Sequence, residues 1–238
     1  MAEISLLQKR KRTQVDNAID MEGARALVGE SLLWPRVRDF LWDFAPSVDS
    51  TWLEDMDGFD AISQSPSIRN DINVKHAILS HLGVGACFYA FPKEDFSRIA
   101  LLDGKTLFAL AQWLGAIGCA DALRRETGGA KVRELKKELA GVYPDVFAFT
   151  AYFKAFTLES NPEDGARGVI KCGANVLFSL ISSLDEAIVR RFSLKLPKWL
   201  GESLEETKTD AADHTATAKA VEKLLRLKFP EAYTLCCS

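Results

Sequence analysis

The longest run without a charged residue, Thr106 to Ala120, constrains the fold more than any other feature of the chain. It holds Leu107, Phe108, Leu110, Trp113, Leu114, Ile117 and Cys119, so a helix through it is apolar on nearly every side. A surface helix carries one apolar stripe, whereas a helix that is apolar all round belongs among other helices. The run is shorter than the ~20 residues that cross a bilayer, and Gln112, Gly115 and Gly118 interrupt it. It is therefore expected as a core helix over Thr106 to Glu126, ending on Arg124 and Arg125, whose charges suit the helix dipole.

The helical period dominates the rest of the chain as well. Val37, Phe40, Leu41 and Phe44 follow Pro35 at three- and four-residue spacing, which predicts a short amphipathic helix. Ser65-Pro66 reads as a cap and first turn, Ile68, Ile72, Leu79 and Leu82 as one face, and Gly83 as the stop. Val84 to Phe91 is apolar and aromatic between Gly83 and Pro92, and fits either a short strand or an extended buried connector. Ala130 to Ala140 places Val132, Leu135 and Leu139 inward and Lys131, Arg133, Lys136 and Lys137 outward, with Glu134 and Glu138 as counterions. After Pro144, Val146, Phe149, Phe153 and Phe156 repeat at the same period and read as core. Ile170, Ala174, Leu177, Ile181, Leu184 and Ile188 predict one long helix from Asn161-Pro162 to Lys195-Leu196-Pro197. Asp213 is the expected cap of a last helix bearing Val221, Leu224 and Leu225 before Pro230. The expected fold is thus mainly α, a compact multi-helix domain over 15–238, with a flexible basic arm at 1–14 and a mobile polar loop near 201–212.

Charge and cysteine content narrow the functional classes. Thirty basic against 33 acidic residues leave a formal charge of −3, which argues against a protein built to coat nucleic acid. Five widely spaced cysteines, an odd number, suggest reduced thiols in the cytosol rather than a disulfide framework, with Cys236 and Cys237 as tail thiols. No charged-then-apolar leader precedes the basic run Lys9 to Arg12. Asp103-Gly104-Lys105-Thr106 looks like the end of a phosphate-binding loop, but Ile99 stands where its first glycine is required. Gly29-Glu30-Ser31 and Gly201-Glu202-Ser203 each lack the closing glycine of a nucleophile elbow. His76 and His81 lie about 140° apart around a helix and cannot share an ion as an i, i+4 pair does. His76 is expected to be partly buried, and His81 and His214 solvated. These patterns predict no catalytic residues, no metal site and no cofactor.

Six stretches carry a family resemblance from about Phe40 onward. They are Ser65-Pro66-Ser67-Ile68-Arg69 with His81-Leu82-Gly83; Arg98-Ile99-Ala100-Leu101-Leu102; Trp113-Leu114-Gly115-Ala116 running to Ala122-Leu123-Arg124-Arg125; Gly129 to Leu135; Leu194-Lys195-Leu196-Pro197; and Phe229-Pro230-Glu231. In content and order they resemble the cytosolic K-subunit of bacterial type III secretion systems, the SctK or YscK-type sorting-platform protein. The resemblance implies a non-enzymatic adaptor in the bacterial cytoplasm, peripherally held at the inner-membrane base of the injectisome. Its implied partners are the cytosolic domain of the inner-membrane ring protein and the pod-forming subunit, with no nucleic acid and no membrane insertion.

A bridge requires two protein-binding surfaces, and Trp and Arg anchor interfaces disproportionately. One surface is therefore expected on the basic face around Arg124, Arg125, Arg133 and Lys137, and the other on the N-terminal aromatic elements around Trp34, Trp42 and Trp52. Two other classes compete: a secretion chaperone or effector, and a small helical enzyme using a buried carboxylate such as Asp121 or Asp185. The near-neutral total conceals a basic arm, a basic helical face and an acidic loop near Glu205, so partner binding is expected to depend on salt.

Overall fold

The computed structural model describes residues 33–64, 67–85, 87–92, 96–153, 156, 158, 165–205 and 214–237. Helix α1 (Leu33–Leu41) takes Pro35 in its first turn and buries Val37, Phe40 and Leu41. Two 3-10 turns follow, Ala45–Ser47 and Ser50–Leu53, the second capped by Asp49, whose carboxylate accepts the Thr51 amide at 3.0 Å. Helix α2 (Phe59–Gln64) comes next. The helix expected from Ser65 starts later, because Asp71 accepts the Asn73 amide at 2.8 Å and caps α3 (Ile72–His81), while Ile68–Asn70 forms a separate 3-10 turn. Ser65 and Pro66 themselves lie outside the described residues. The buried face of α3 centres on Ile78, and Ile72 is exposed instead. Gly83 ends α3 as expected: with φ +64° it lets the Val84 amide reach the Leu79 carbonyl at 2.9 Å.

Among the described residues there is no strand, and residues 84–85 and 87–91 form an irregular connector in which Phe91 takes a positive φ of 49°. Its carbonyls are met by side chains rather than by a neighbouring strand: Arg191 donates to Gly85 (2.7 Å) and Arg98 to Phe91 (3.0 Å). The Phe91 ring is buried edge-on against Phe40 and Tyr89.

The charge-free run forms α4 (Gly104–Gly118), capped by Asp103, which accepts the Thr106 amide at 2.9 Å. It does not continue to Glu126. The chain turns at Cys119 into α5 (Ala120–Arg125), where Leu158 lies over Gly118 and donates its amide to the Gly118 carbonyl at 2.9 Å. Helix α6 (Gly129–Glu138) buries Leu135, with Leu139 fully buried at its end. Helix α7 (Tyr143–Phe149) carries Pro144 in its first turn and tightens into the 3-10 turn Thr150–Tyr152, so the phenylalanine stripe is not one continuous helix.

The expected long helix is two: α8 (Gly165–Ile181) and α9 (Glu186–Leu194). Ser182 Oγ donates to the Ser179 carbonyl at 3.2 Å and Asp185 accepts the Ala187 amide at 2.8 Å, which closes one helix and starts the next. Helix α10 (Lys198–Glu205) occupies the start of the stretch expected as a polar loop, and residues 206–213 lie outside the described residues. Helix α11 (His214–Lys228) buries Val221, Leu224 and Leu225, and α12 (Pro230–Cys237) folds back on it.

The centre of the molecule is the crossing of α4 over α8. Gly115 and Gly173 face each other there. A Cβ at Gly115 would collide with the Val169 carbonyl, and one at Gly173 with the Ala111 carbonyl and the Gly115 amide. This close backbone approach lets Leu110, Leu114, Ala174 and Leu177 bury completely, each large side chain contributing about 2 kcal/mol of hydrophobic stabilisation. One cluster of buried side chains extends from Leu33 to Cys236.

Candidate partner-binding surfaces

The three N-terminal tryptophans have different environments. Trp34 and Trp42 lie one above the other on α1 and beyond its end, half-buried, with ring centroids 5.9 Å apart. Trp42 also lines an open groove of about 300 Å³ together with Asp43, Ile72, Lys75, His76 and Leu79. Lys75 and Asp43 pair across it at 2.7 Å. His76, expected to be partly buried, is exposed on its rim, because the inward position of α3 belongs to Ile78. Trp52 is a core residue rather than a surface anchor. It is 6% exposed, its indole N–H donates to the Leu196 carbonyl at 2.8 Å, and a Cβ at Gly201 of α10 would collide with its Cζ2.

The expected basic face divides in a similar way. Arg125, Arg133 and Lys137 are exposed on α5 and α6. Arg124, also exposed, pairs with Asp121 on its own helix (2.8 Å) and reaches toward α7, where it donates to Thr150 Oγ1 (2.6 Å) and lies over the Phe147 ring. From there a seam of cations on rings runs to α11. Lys223 donates to the Tyr152 carbonyl at 2.7 Å and lies over the rings of Tyr152 and Phe153. Lys228 lies 4.5 Å from the Trp113 centroid and 4.3 Å from that of Phe149, and pairs with Asp145 at 3.4 Å. Tyr152 and Leu227 are the exposed apolar residues of this seam.

Sequence reasoning missed Lys223, Lys228 and Tyr152 as members of one surface. Lys223 lies 71 residues from Tyr152, and no local pattern announces that α11 will lie along the 3-10 turn after α7.

A family model described as YOP proteins translocation protein K (YscK) matches residues 39–237 of the chain. The chain belongs to the YscK family. The match begins inside α1 and ends on the last residue of α12, so of the expected anchors only Trp34 precedes it. Searches of curated proteins and of solved structures gave no match. As a YscK-family protein, the chain is a type III secretion component.

The side chains considered for chemistry are arranged for structure in this YscK-family fold. Asp121 and Asp185 are both exposed, the first in an ion pair and the second capping α9, so neither is the buried carboxylate an enzyme reading requires. Cys236, expected as a tail thiol, is buried in α12, and burial pushes its thiol up to about 12; burial also raises Cys87. Gly104 marks a close contact with the Lys195 carbonyl, not a phosphate loop. Among the described residues no three His, Cys, Asp or Glu side chains cluster to hold a metal ion, and no helix is long and apolar enough to cross a membrane.

Proposed function

We propose that the chain is a non-enzymatic adaptor of a type III secretion injectisome, joining the cytosolic domain of the inner-membrane ring protein to the pod-forming subunit of the sorting platform. The match to the YscK family over almost the whole helical body carries this reading. The surfaces are consistent with it. The Trp34–Trp42 pair with its groove and the cationic face of α5 to α7 and α11 are built from different parts of the chain, as two docking surfaces require. The adaptor works in the bacterial cytoplasm, peripherally associated with the secretion base, and needs no cofactor.

The test is deletion of the coding sequence together with co-purification of the tagged full chain. Deletion should stop effector export, and the tagged chain should bring down both the ring protein and the pod subunit. Export that continues without the chain would overturn the proposal. Capture of a single cargo protein, with neither the ring protein nor the pod subunit, would point to a secretion chaperone.

A further inference from the structure

The strongest unassigned feature is the seam between α7 and α11. Three cations, Arg124, Lys223 and Lys228, are each fixed over aromatic rings, and two of them pair with a carboxylate, Arg124 with Asp121 and Lys228 with Asp145. Lys223 makes no ion pair among the described residues; its ammonium is held by a carbonyl and two rings. Beside it stand Tyr152, 59% exposed, and Leu227, 45% exposed, one helical turn after Lys223. An aromatic side chain half out in water next to an ammonium already locked in place is an arrangement that folding alone does not require.

We infer that this seam is a docking surface for an acidic protein segment carrying an apolar side chain, with Tyr152 and Leu227 as the apolar anchors and Lys223 as the central cation. The inference rests on the adaptor reading above and specifies the surface and its complement. Ring contacts hold the lysine and arginine stems before a partner arrives, which lowers the side-chain entropy lost on docking. Among the described residues, the three ring-held cations exceed the two carboxylates paired with them, on a chain whose total charge is −3, and this selects an acidic partner. Asp121 and Asp145 inside the seam oppose a continuous phosphate backbone or a lipid headgroup layer, and the exposed Tyr and Leu favour a protein side chain.

Photo-crosslinking in cells tests this with the full-length chain. A benzoylphenylalanine replaces Tyr152 or, separately, Leu227, with Ile72 on the groove side as the comparison position. Adducts from positions 152 and 227 should map by mass spectrometry to one acidic segment of a secretion-apparatus protein. The charge reversal Lys223→Glu should lower their yield about tenfold, and binding of the purified pair should weaken as salt is raised. Leu227→Ser, which removes only an exposed side chain, should lower the position-152 adduct while leaving the melting temperature within about 2 °C, so loss of folding is not mistaken for loss of docking. Adducts only to lipid or nucleic acid, adducts to a basic segment, or no adduct at 152 and 227 would overturn the inference. If position 72 still captures the ring or pod protein and export still needs the chain, the adaptor reading stands while the seam falls. If export does not need the chain, it is the adaptor reading that fails.

Discussion

Arg191 and Lys195, one turn apart at the end of α9, lie over Phe44 and Phe40 inside the core, whereas Lys223 and Lys228 of α11 lie over rings at the surface. Inside, the donors are directed at backbone carbonyls. Arg191 reaches Gly85 (2.7 Å) and Leu41 (3.4 Å), and Lys195 reaches Ala100 and Leu102, both at 2.8 Å. Those carbonyls stand at element ends: Leu41 closes α1, Leu102 follows the 3-10 turn Ser97–Leu101, and Gly85 lies in the strandless connector. The two interior cations therefore take the place of a sheet partner or a helix continuation and tie the chain at Leu41, Gly85, Ala100 and Leu102 to α9. At the surface the same pairing of cation and ring leaves the ammonium groups near water. Exclusion of solvent decides whether such a pair acts as an internal cap or remains available to a partner.

The largest expected effect separates these two roles most directly. Arg191→Met keeps most of the packing volume but removes the charged donor to the Gly85 carbonyl and leaves the buried Leu41 carbonyl unpaired, and should cost about 3 kcal/mol in urea unfolding. A loss under about 1 kcal/mol would mean that Arg191 only fills space and that the connector is held by Phe91 packing instead.

Lys195→Met is next, at about 2 kcal/mol near neutral pH for two lost carbonyl bonds, and it has a pH signature. Burial pushes Lys195 down to about 7, with Asp103 opposing and Arg36 adding to the shift. In the unfolded chain the same lysine titrates near ~10.4, so between these values the unfolded state holds the extra proton. Stability contributed at this site therefore rises with pH from about 7 to 10, by at most about 1.4 kcal/mol per pH unit, and levels off below 7 where both states are protonated. Measured as wild type minus Lys195→Met, the difference should climb over that window. A flat difference would show that the two carbonyls and the Phe40 face hold the ammonium charged.

Trp52 stands between the two cases, a buried ring with Arg190 over it at 5.1 Å. Trp52→Phe removes the indole bond to Leu196 and should cost about 1 kcal/mol. An unchanged urea midpoint would show that the ring's packing, and not its bond to Leu196, is what Trp52 contributes.

The sequence made some of this molecule readable and hid the rest for identifiable reasons. The α4 run, the Val221, Leu224 and Leu225 stripe and the Gly83 stop were legible because each depends on residues within a few turns. The breaks at Asp71, Cys119 and Ser182 to Asp185 were not. Across the last of them Ile181, Leu184 and Ile188 keep helical spacing, so the apolar period runs on through a gap that only the Ser182 and Asp185 caps reveal. Trp52 looked like an interface residue because tryptophan is common at interfaces, while the carbonyl that holds it comes from 144 residues away. Lys195 reads only as part of the stop of the expected long helix, since nothing local says that the N-terminal phenylalanines will close over it and over Arg191. The basic residues near Arg124 were visible, but the rings and lysines that make a seam of them come from separate helices.

The smallest effects belong to the seam, and they test whether its cations are there for folding at all. Lys228 is partly shielded between Trp113 and Phe149 and pairs with Asp145, so Lys228→Met should cost about 0.5–1 kcal/mol, the range of an exposed cation on a ring. Lys223→Met keeps the stem over Tyr152 and Phe153 and loses one bond to a carbonyl that water can reach, because Tyr152 is exposed. Water replaces that donor, and the expected change is within about 0.5 kcal/mol. The ratio between Arg191→Met and Lys223→Met is thus expected to be at least about fivefold in free energy, although both remove a cation from an aromatic face. If the Lys223 variant proves as destabilising as the Arg191 variant, the seam is part of the core's scaffolding, and its exposed tyrosine is a by-product of packing. If Lys223→Met leaves folding intact and yet lowers effector export, the lysine is held in place for a partner.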